Sequence, residues 1–299
     1  MASLKAIRKR ISSVKSTQKI TKAMKMVAGA RLNKAQQRIT EIRPYARKTQ
    51  EALSEIVARA LQIEAEGGSH DAAEQLHPLL VHREEKRVQL VVLTSDRGLC
   101  GAFNSSINRV AEREYKERTA RGQDVRVSVI GRKGRDYLSR RGVPVDYLPG
   151  VWDKLSYQTS KRVGDSVLKS FLSGEVDAIY LVYNEFKSAM SQQVVTESLV
   201  PVPPVADDDG LDAADFVFEP SRTALLDHLA PLYVDISILR ALYESTASEL
   251  GARMTAMDSA TKNATEMIDK LTLDYNKARQ AAITKELMEI IGGSEALKE

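Results

Sequence analysis

Residues 222–291 read RTALLDHLAPLYVDISILRALYESTASELGARMTAMDSATKNATEMIDKLTLDYNKARQAAITKELMEII. Taken in steps of three and four, the apolar or small residues are Leu225, Leu229, Leu232, Ile236, Leu239, Tyr243, Thr246 and Leu250. They continue as Met254, Met257, Thr261, Ala264, Ile268, Leu271, Tyr275, Ala278 and Ala282. This is a heptad seam. At 1.5 Å per residue the stretch makes a rod of roughly 105 Å, longer than any domain the rest of the chain could build, so it needs a partner helix. Thr246 stands where a large apolar residue is expected, and the step from Leu250 to Met254 is a second consecutive four, which locally unwinds a supercoil. Gly251 in the same turn reads as a bend, a hand-over to another partner surface, or a tolerated glycine. Pro231 predicts a kink or a helix start, because it lacks an N–H and clashes with the carbonyl four residues back.

The partner is found at the other end of the chain. Residues 2–60 carry Leu4, Ile7, Ile11, Val14, Thr17, Ile20, Met24 and Val27, then Ala28, Leu32, Ala35, Ile39, Ile42, Ala46, Leu53, Ile56 and Ala60, mostly at the same spacing. Pro44 interrupts this helix, and Gly67 and Gly68 are expected to end it. Eleven Lys or Arg and no Asp or Glu precede Glu41, so this end is a cationic arm. A transit peptide is disfavoured because the seam runs unbroken into the rest of the helix. Nucleic acid is disfavoured because no aromatic interleaves the charges before Pro44 and the basic residues circle the helix. A charged shaft lodged in an acidic protein sleeve is the third reading.

The whole chain, 299 residues at 43% hydrophobic, 28% charged and only 5% aromatic, is helix-rich with a net charge of +4. A single cysteine, Cys100, excludes an intrachain disulfide and fits a reducing compartment. No apolar run approaches the roughly twenty residues that span a bilayer. His70, His77 and His82 lack metal-site companions and read as solvated, so no metal is implied.

The texture changes between the two long helices. Strands are expected at 88–94 (VQLVVLT), 125–130, 143–147, 177–184 and 192–199, and helices at 105–121, 132–141 and 157–172. Alternation predicts a mostly parallel sheet flanked by helices, with an antiparallel edge where the last two strands follow without a helix. The segment VPVPPVADDDGLDAADF at 200–216 is a linker or surface loop. The organisation is an N-terminal helix over 1–66, a connector over 67–87, an α/β domain over 88–200, a linker loop over 201–220 and a C-terminal helix over 221–299.

The turn SDRGLCGAFN (Ser95 to Asn104) follows the first strand, where dinucleotide loops occur, yet it lacks G-x-G-x-x-G and the chain has no G-x-x-x-x-G-K-[ST]. No nucleotide or other cofactor is expected. Cys100 lacks an assignable histidine and reads as a small buried thiol. Gly131 to Arg135 (GRKGR) resembles a phosphate cradle but reads as a solvated helix start.

Three blocks carry a family resemblance: IRKRISSVKSTQKITKAMKMVAGARLNKAQ (Ile7 to Gln36), SDRGLCGAFN (Ser95 to Asn104) and ARMTAMDSATKNATEMIDKLTLDYNKARQAAITKELMEI (Ala252 to Ile290). In this order and over the whole length, the chain resembles the γ subunit of F-type ATP synthases. The resemblance implies a long antiparallel coiled coil of the two terminal helices plus a central Rossmann-like α/β domain. It implies a non-catalytic rotor shaft inside a ring of α and β subunits, standing on the c-subunit ring beside ε, peripheral to the cytoplasmic face of a bacterial plasma membrane. Met24, Arg279 and Gln280 match the family's contacts to the α/β ring. Lys22 and Lys25 are added from charge, although some bacterial relatives carry an acid at the position of Lys25. The tip Ile283 to Ile291 is apolar on one side, has no partner left on the amino helix, and fits a bearing surface. The alternative is a basic coiled-coil protein that binds nucleic acid and carries a degenerate α/β domain.

Overall fold

The computed structural model describes residues 4–65, 77–203 and 222–296. Helix α1 spans Leu4–Ala65 and helix α5 spans Arg222–Ala296, each running through its proline, Pro44 and Pro231. α5 is already helical at Arg222, so Pro231 does not start it. Between them come β1 (Arg87–Leu93), α2 (Phe103–Ala120), β2 (Asp124–Ile130), α3 (Arg132–Ser139), β3 (Val145–Leu148), α4 (Tyr157–Leu172), β4 (Ala178–Phe186) and β5 (Gln192–Val200). The chain divides into two compact units, residues 30–252 and the pair of segments 1–29 and 253–299.

In the larger unit the sheet order is β3-β2-β1-β4-β5. β1 to β4 are parallel to one another, and β5 pairs antiparallel with β4. The period of two in a strand sorts the side chains of β1 cleanly. Val88, Leu90 and Val92 pack with Phe103, Ile107 and Leu138 of α2 and α3. Val91 and Leu93 pack on the other face with Val167 and Phe171 of α4 and with Val234 and Ile238 of α5. Both faces are covered, as a parallel sheet requires. The segment of α5 from Tyr233 to Leu239 is buried on every side, so heptad spacing describes only one of its contacts there. Gly251 is buried against the β4–β5 turn, where an added Cβ would stand 3.0 Å from the Ala189 carbonyl oxygen. Close approach of a second backbone, rather than a bend, accounts for that glycine.

His77 departs from expectation. It is half-buried, its Nδ1 accepts from the Leu79 N–H at 3.2 Å to cap the 3₁₀ turn Pro78–Leu80, and its Nε2 lies 3.8 Å from Asp227. Burial lowers its pKa, with Asp227 opposing. His82 is exposed, as expected of a solvated residue, while His70, Gly67, Gly68 and most of the proline-rich acidic loop lie outside the described residues.

In the smaller unit α1 and α5 pair antiparallel. Advancing from Gln18 to Lys25 on α1 moves the partner back from Thr265 to Asp258, so the register holds without slippage. On α5 the expected seam, Met254, Met257, Thr261, Ala264, Ile268, Leu271, Tyr275, Ala278 and Ala282, is the protected face throughout. On α1 the seam differs. After Val14 it runs through Gln18, Thr21, Lys25 and Ala28, while Thr17, Ile20 and Val27 face water. Counting apolar residues selects Ile20; the hydrogen-bonding partners on α5 select Thr21. Gln18 Nε2 donates to Thr265 Oγ1 at 2.7 Å, and Thr261 Oγ1 donates to Thr21 Oγ1 at 2.8 Å. Paired polar groups on a seam retain their hydrogen bonds and fix register.

Candidate interaction surfaces

The smaller unit presents apolar side chains outward. Ile20 and Val27 of α1 are 57% and 53% exposed, and with the half-buried Met24 they form one stripe at helical spacing. Met26 on α1 and Met267 and Leu273 on α5 are exposed as well. A two-helix rod whose inner seam is partly polar and whose outer face is partly apolar is built to be surrounded. Sequence reasoning had put Ile20 and Val27 inside. The signal that could have moved them outward was the match of Gln18, Thr21 and Lys25 to Thr265, Thr261 and Asp258.

Lys22 is exposed, as are Arg279 and Gln280. Lys25 is engaged: its Nζ lies 2.6 Å from Asp258 Oδ1, and Lys262 approaches the other oxygen at 3.1 Å. The two ammonium groups, Lys25 foremost, hold the Asp258 carboxyl below its ordinary range. The antiparallel register sets Lys22 and Met24 beside residues 259–261. Arg279 stands about 19 residues further along α5, roughly 28 Å at 1.5 Å per residue. The five candidate residues therefore form two separate collars rather than one site.

Past Ala282 the protected face of α5 ends, and Ile283, Leu287, Met288, Ile290 and Ile291 are all more than half exposed. This is consistent with the register, in which Arg8 already reaches Tyr275. In the free chain the amides of Ile283–Ile291 are expected to exchange fast, because a helix end of about two and a half turns without a packing partner is marginal in water. Hydrogen exchange as slow there as at Met254–Leu271 would contradict this.

The N-terminal donors of α3 are already used: Arg132 N–H donates to Asp96 Oδ1 at 2.9 Å, Lys133 N–H to the Ser95 carbonyl at 3.1 Å and Gly134 N–H to Thr94 Oγ1 at 2.8 Å. A helix N-terminus binds an anion with these groups, and here neighbouring chain has taken them. The GRKGR run is thus a packed helix start, with Gly134 buried, rather than a solvated one. Cys100 is buried and its sulfur accepts from Asn104 Nδ2 at 3.2 Å, which gives it a place in the turn. Among the described residues no group of three His, Cys, Asp or Glu side chains could hold a metal ion, and no helix is long and apolar enough to cross a membrane.

Comparison with known proteins agrees with this architecture. The ATP synthase family model ATP-synt matches residues 3–297. The ATP synthase gamma chain of Sorangium cellulosum (strain So ce56) is 63% identical, with all of both chains aligned. A solved chain from the central stalk and c-ring of the Tetrahymena thermophila mitochondrial ATP synthase is 27% identical, with a TM-score of 0.57 over 81% of this chain and 99% of that one. A chain of the Euglena gracilis mitochondrial ATP synthase rotor, 20% identical, shares the fold with a TM-score of 0.63 over 94% of this chain and 98% of that one. Long terminal helices paired antiparallel, a central sheet with one antiparallel edge, and a match running from one end to the other place this chain in the family of ATP synthase gamma chains.

Proposed function

We propose that this chain is the central rotor shaft of a proton-translocating F-type ATP synthase. It couples rotation of the c-subunit ring to the conformational cycle of the catalytic β subunits. The observation that carries the reading is the smaller unit's outward apolar surface, Ile20 and Val27 on α1 and the unpartnered Ile283–Ile291 turn of α5. Low-friction contact inside a protein sleeve needs apolar, non-directional surface, whereas a nucleic-acid binder would need free cations on one face. The chain is a non-catalytic subunit. Its partners are the α, β and ε subunits and the c ring, and it lies peripheral to the membrane, on the cytoplasmic face of a bacterial plasma membrane. Lys22, Met24, Lys25, Arg279 and Gln280 are the proposed contacts to the α/β ring, with Lys25 acting after exchange or sharing of its bond to Asp258.

Co-expression with α and β subunits tests the reading: the chain should co-purify with the ring and turn in it during ATP hydrolysis. Within that complex Arg279→Ala should lower turnover about two- to five-fold, the size of one exposed charge pair, with assembly intact because the seam is untouched. Arg113→Ala, on the exposed face of α2, is the control. Equal turnover in both variants and wild type would remove Arg279 from the contact set.

A further inference from the structure

A rotor requires that the sheet of the larger unit not turn on the helix it is packed against. α5 meets β4 and β5 through apolar residues, Val234, Ile238, Ala241 and Leu242 among Ile179, Leu181 and Leu199. Such packing resists separation but is non-directional. Along the same helix three polar residues recur at intervals of four, hence on one face. Arg240 donates to Glu197 Oε1, whose Oε2 accepts from the buried Tyr183 hydroxyl at 2.7 Å. Glu244 Oε2 accepts from the Phe186 N–H at 2.9 Å, and its Oε1 accepts from Arg43 Nε–H of α1 at 2.8 Å. Arg43 Nη2 returns to the Phe186 carbonyl at 3.0 Å, so both backbone groups of one residue at the end of β4 are gripped from two helices. Ser248 Oγ donates to the Asn184 carbonyl at 3.1 Å. Glu244 is only 3% exposed and Ser248 is fully buried. Burying charge here costs desolvation that an apolar stripe of the same shape would avoid, so stability alone does not account for it. Hydrogen bonds weaken steeply with angle, which is the property apolar packing lacks.

We propose that Arg240, Glu244 and Ser248 are an anti-slip stripe, positioning residues that fix the angle at which the β4–β5 edge grips α5 so that sheet and helix turn together under load. The inference rests on the rotor reading. It is tested in the assembled complex with Glu244→Gln, which keeps shape and packing but removes the charge and turns an amide donor toward one of the two donors, Phe186 N–H or Arg43 Nε–H, that the carboxylate accepts. Rotation of a small, nearly drag-free probe should match wild type, whereas rotation of a large viscous probe should fall at least about two-fold, a change that corresponds to only about 0.4 kcal/mol and so lies within the loss of one charge-assisted bond. Ser248→Ala, which removes only the hydroxyl, should show a smaller drop under load only. In the free full-length chain, Glu244→Gln should speed amide exchange at Phe186. Wild-type rotation under load for both Glu244→Gln and Ser248→Ala would overturn the proposal. If Glu244→Gln does not assemble, Ser248→Ala alone decides it by the same criterion. If the wild-type chain itself fails to join a ring, the rotor reading falls, and unchanged exchange at Phe186 would then overturn the lock as well.

Discussion

Replacing Gly131 by alanine is expected to cost at least about 3 kcal/mol and to lower the melting temperature of the full chain by roughly 6–12 °C. Gly131 precedes α3 with φ of +103°, a region that residues with a Cβ rarely enter. A Cβ there would also lie 2.0 Å from the Thr94 carbonyl oxygen and 2.5 Å from its carbon. Thr94 cannot retreat, because it is buried, its N–H donates to the Ile130 carbonyl at 2.8 Å and its Oγ1 donates to the same carbonyl at 3.1 Å. Gly122→Ala separates the two causes, since Gly122 has φ of +82° but nothing within 4 Å of the added carbon. It should show the backbone strain alone, about 1 kcal/mol. Equal shifts in melting temperature for the two variants would refute the steric account.

Asp177→Ala should destabilise the chain by about 2–3 kcal/mol near neutral pH. The carboxylate is buried at the start of β4 and clamps the neighbouring β1. Its Oδ1 accepts from Arg87 Nη2 at 2.7 Å, and its Oδ2 accepts from the Arg87 backbone N–H at 2.8 Å and from Nε at 3.2 Å. The Asp177 N–H donates in return to the Arg87 carbonyl at 2.7 Å. The Arg87 guanidinium is the main cause holding the Asp177 carboxyl below its ordinary range. Because the folded pKa is depressed, this stabilisation is present above the unfolded value, about 3.9, and is lost as pH falls through the folded pKa. The melting-temperature gap between wild type and variant should be wide at about pH 7 and close progressively below about pH 4. A gap that keeps its full size down to about pH 2 would show that packing, not charge, is what the substitution removes.

The strands were legible because each is a short apolar run bounded by turn residues, and the antiparallel edge because no helix separates Phe186 from Gln192. The lower half of α5 was legible for a related reason: from Met254 to Ala282 it has one packing partner, so periodicity alone describes it. Its upper half has several, and burial around the whole circumference at Tyr233–Leu239 erases the apolar stripe that heptad spacing describes. On α1 the error at Ile20 and Val27 arose where apolarity and inwardness part company. A seam position can be filled by Thr21 when Thr261 stands opposite, and that pairing exists only in the folded register. The interaction surface was legible only in part, since the exposed turn Ile283–Ile291 lacks any α1 partner by length, whereas the ion pair that occupies Lys25 depends on Asp258, 233 positions away. The anti-slip stripe was invisible, because Arg240, Glu244 and Ser248 look like the solvated side of a helix until Glu197, Phe186 and Asn184 are placed beside them.

The closing of the two-helix seam has a bearing on synthesis. Gln18 and its partner Thr265 are 247 positions apart. With translation at roughly 5–20 residues per second, Thr265 is made about 12–50 s after Gln18. For that interval the basic first helix has emerged from the ribosome with Ile7, Ile11 and Val14 facing no mate. The larger unit, whose β1 to β5 are complete before α5 begins, can order its sheet early and cover one face with α2 and α3, but the other face has only α4 until α5 arrives. The final seventy-odd residues therefore supply both the rest of the cover on the sheet's second face and the mate for the first helix. A premature stop anywhere in them should leave a nascent chain that chaperones hold rather than a shortened but usable part.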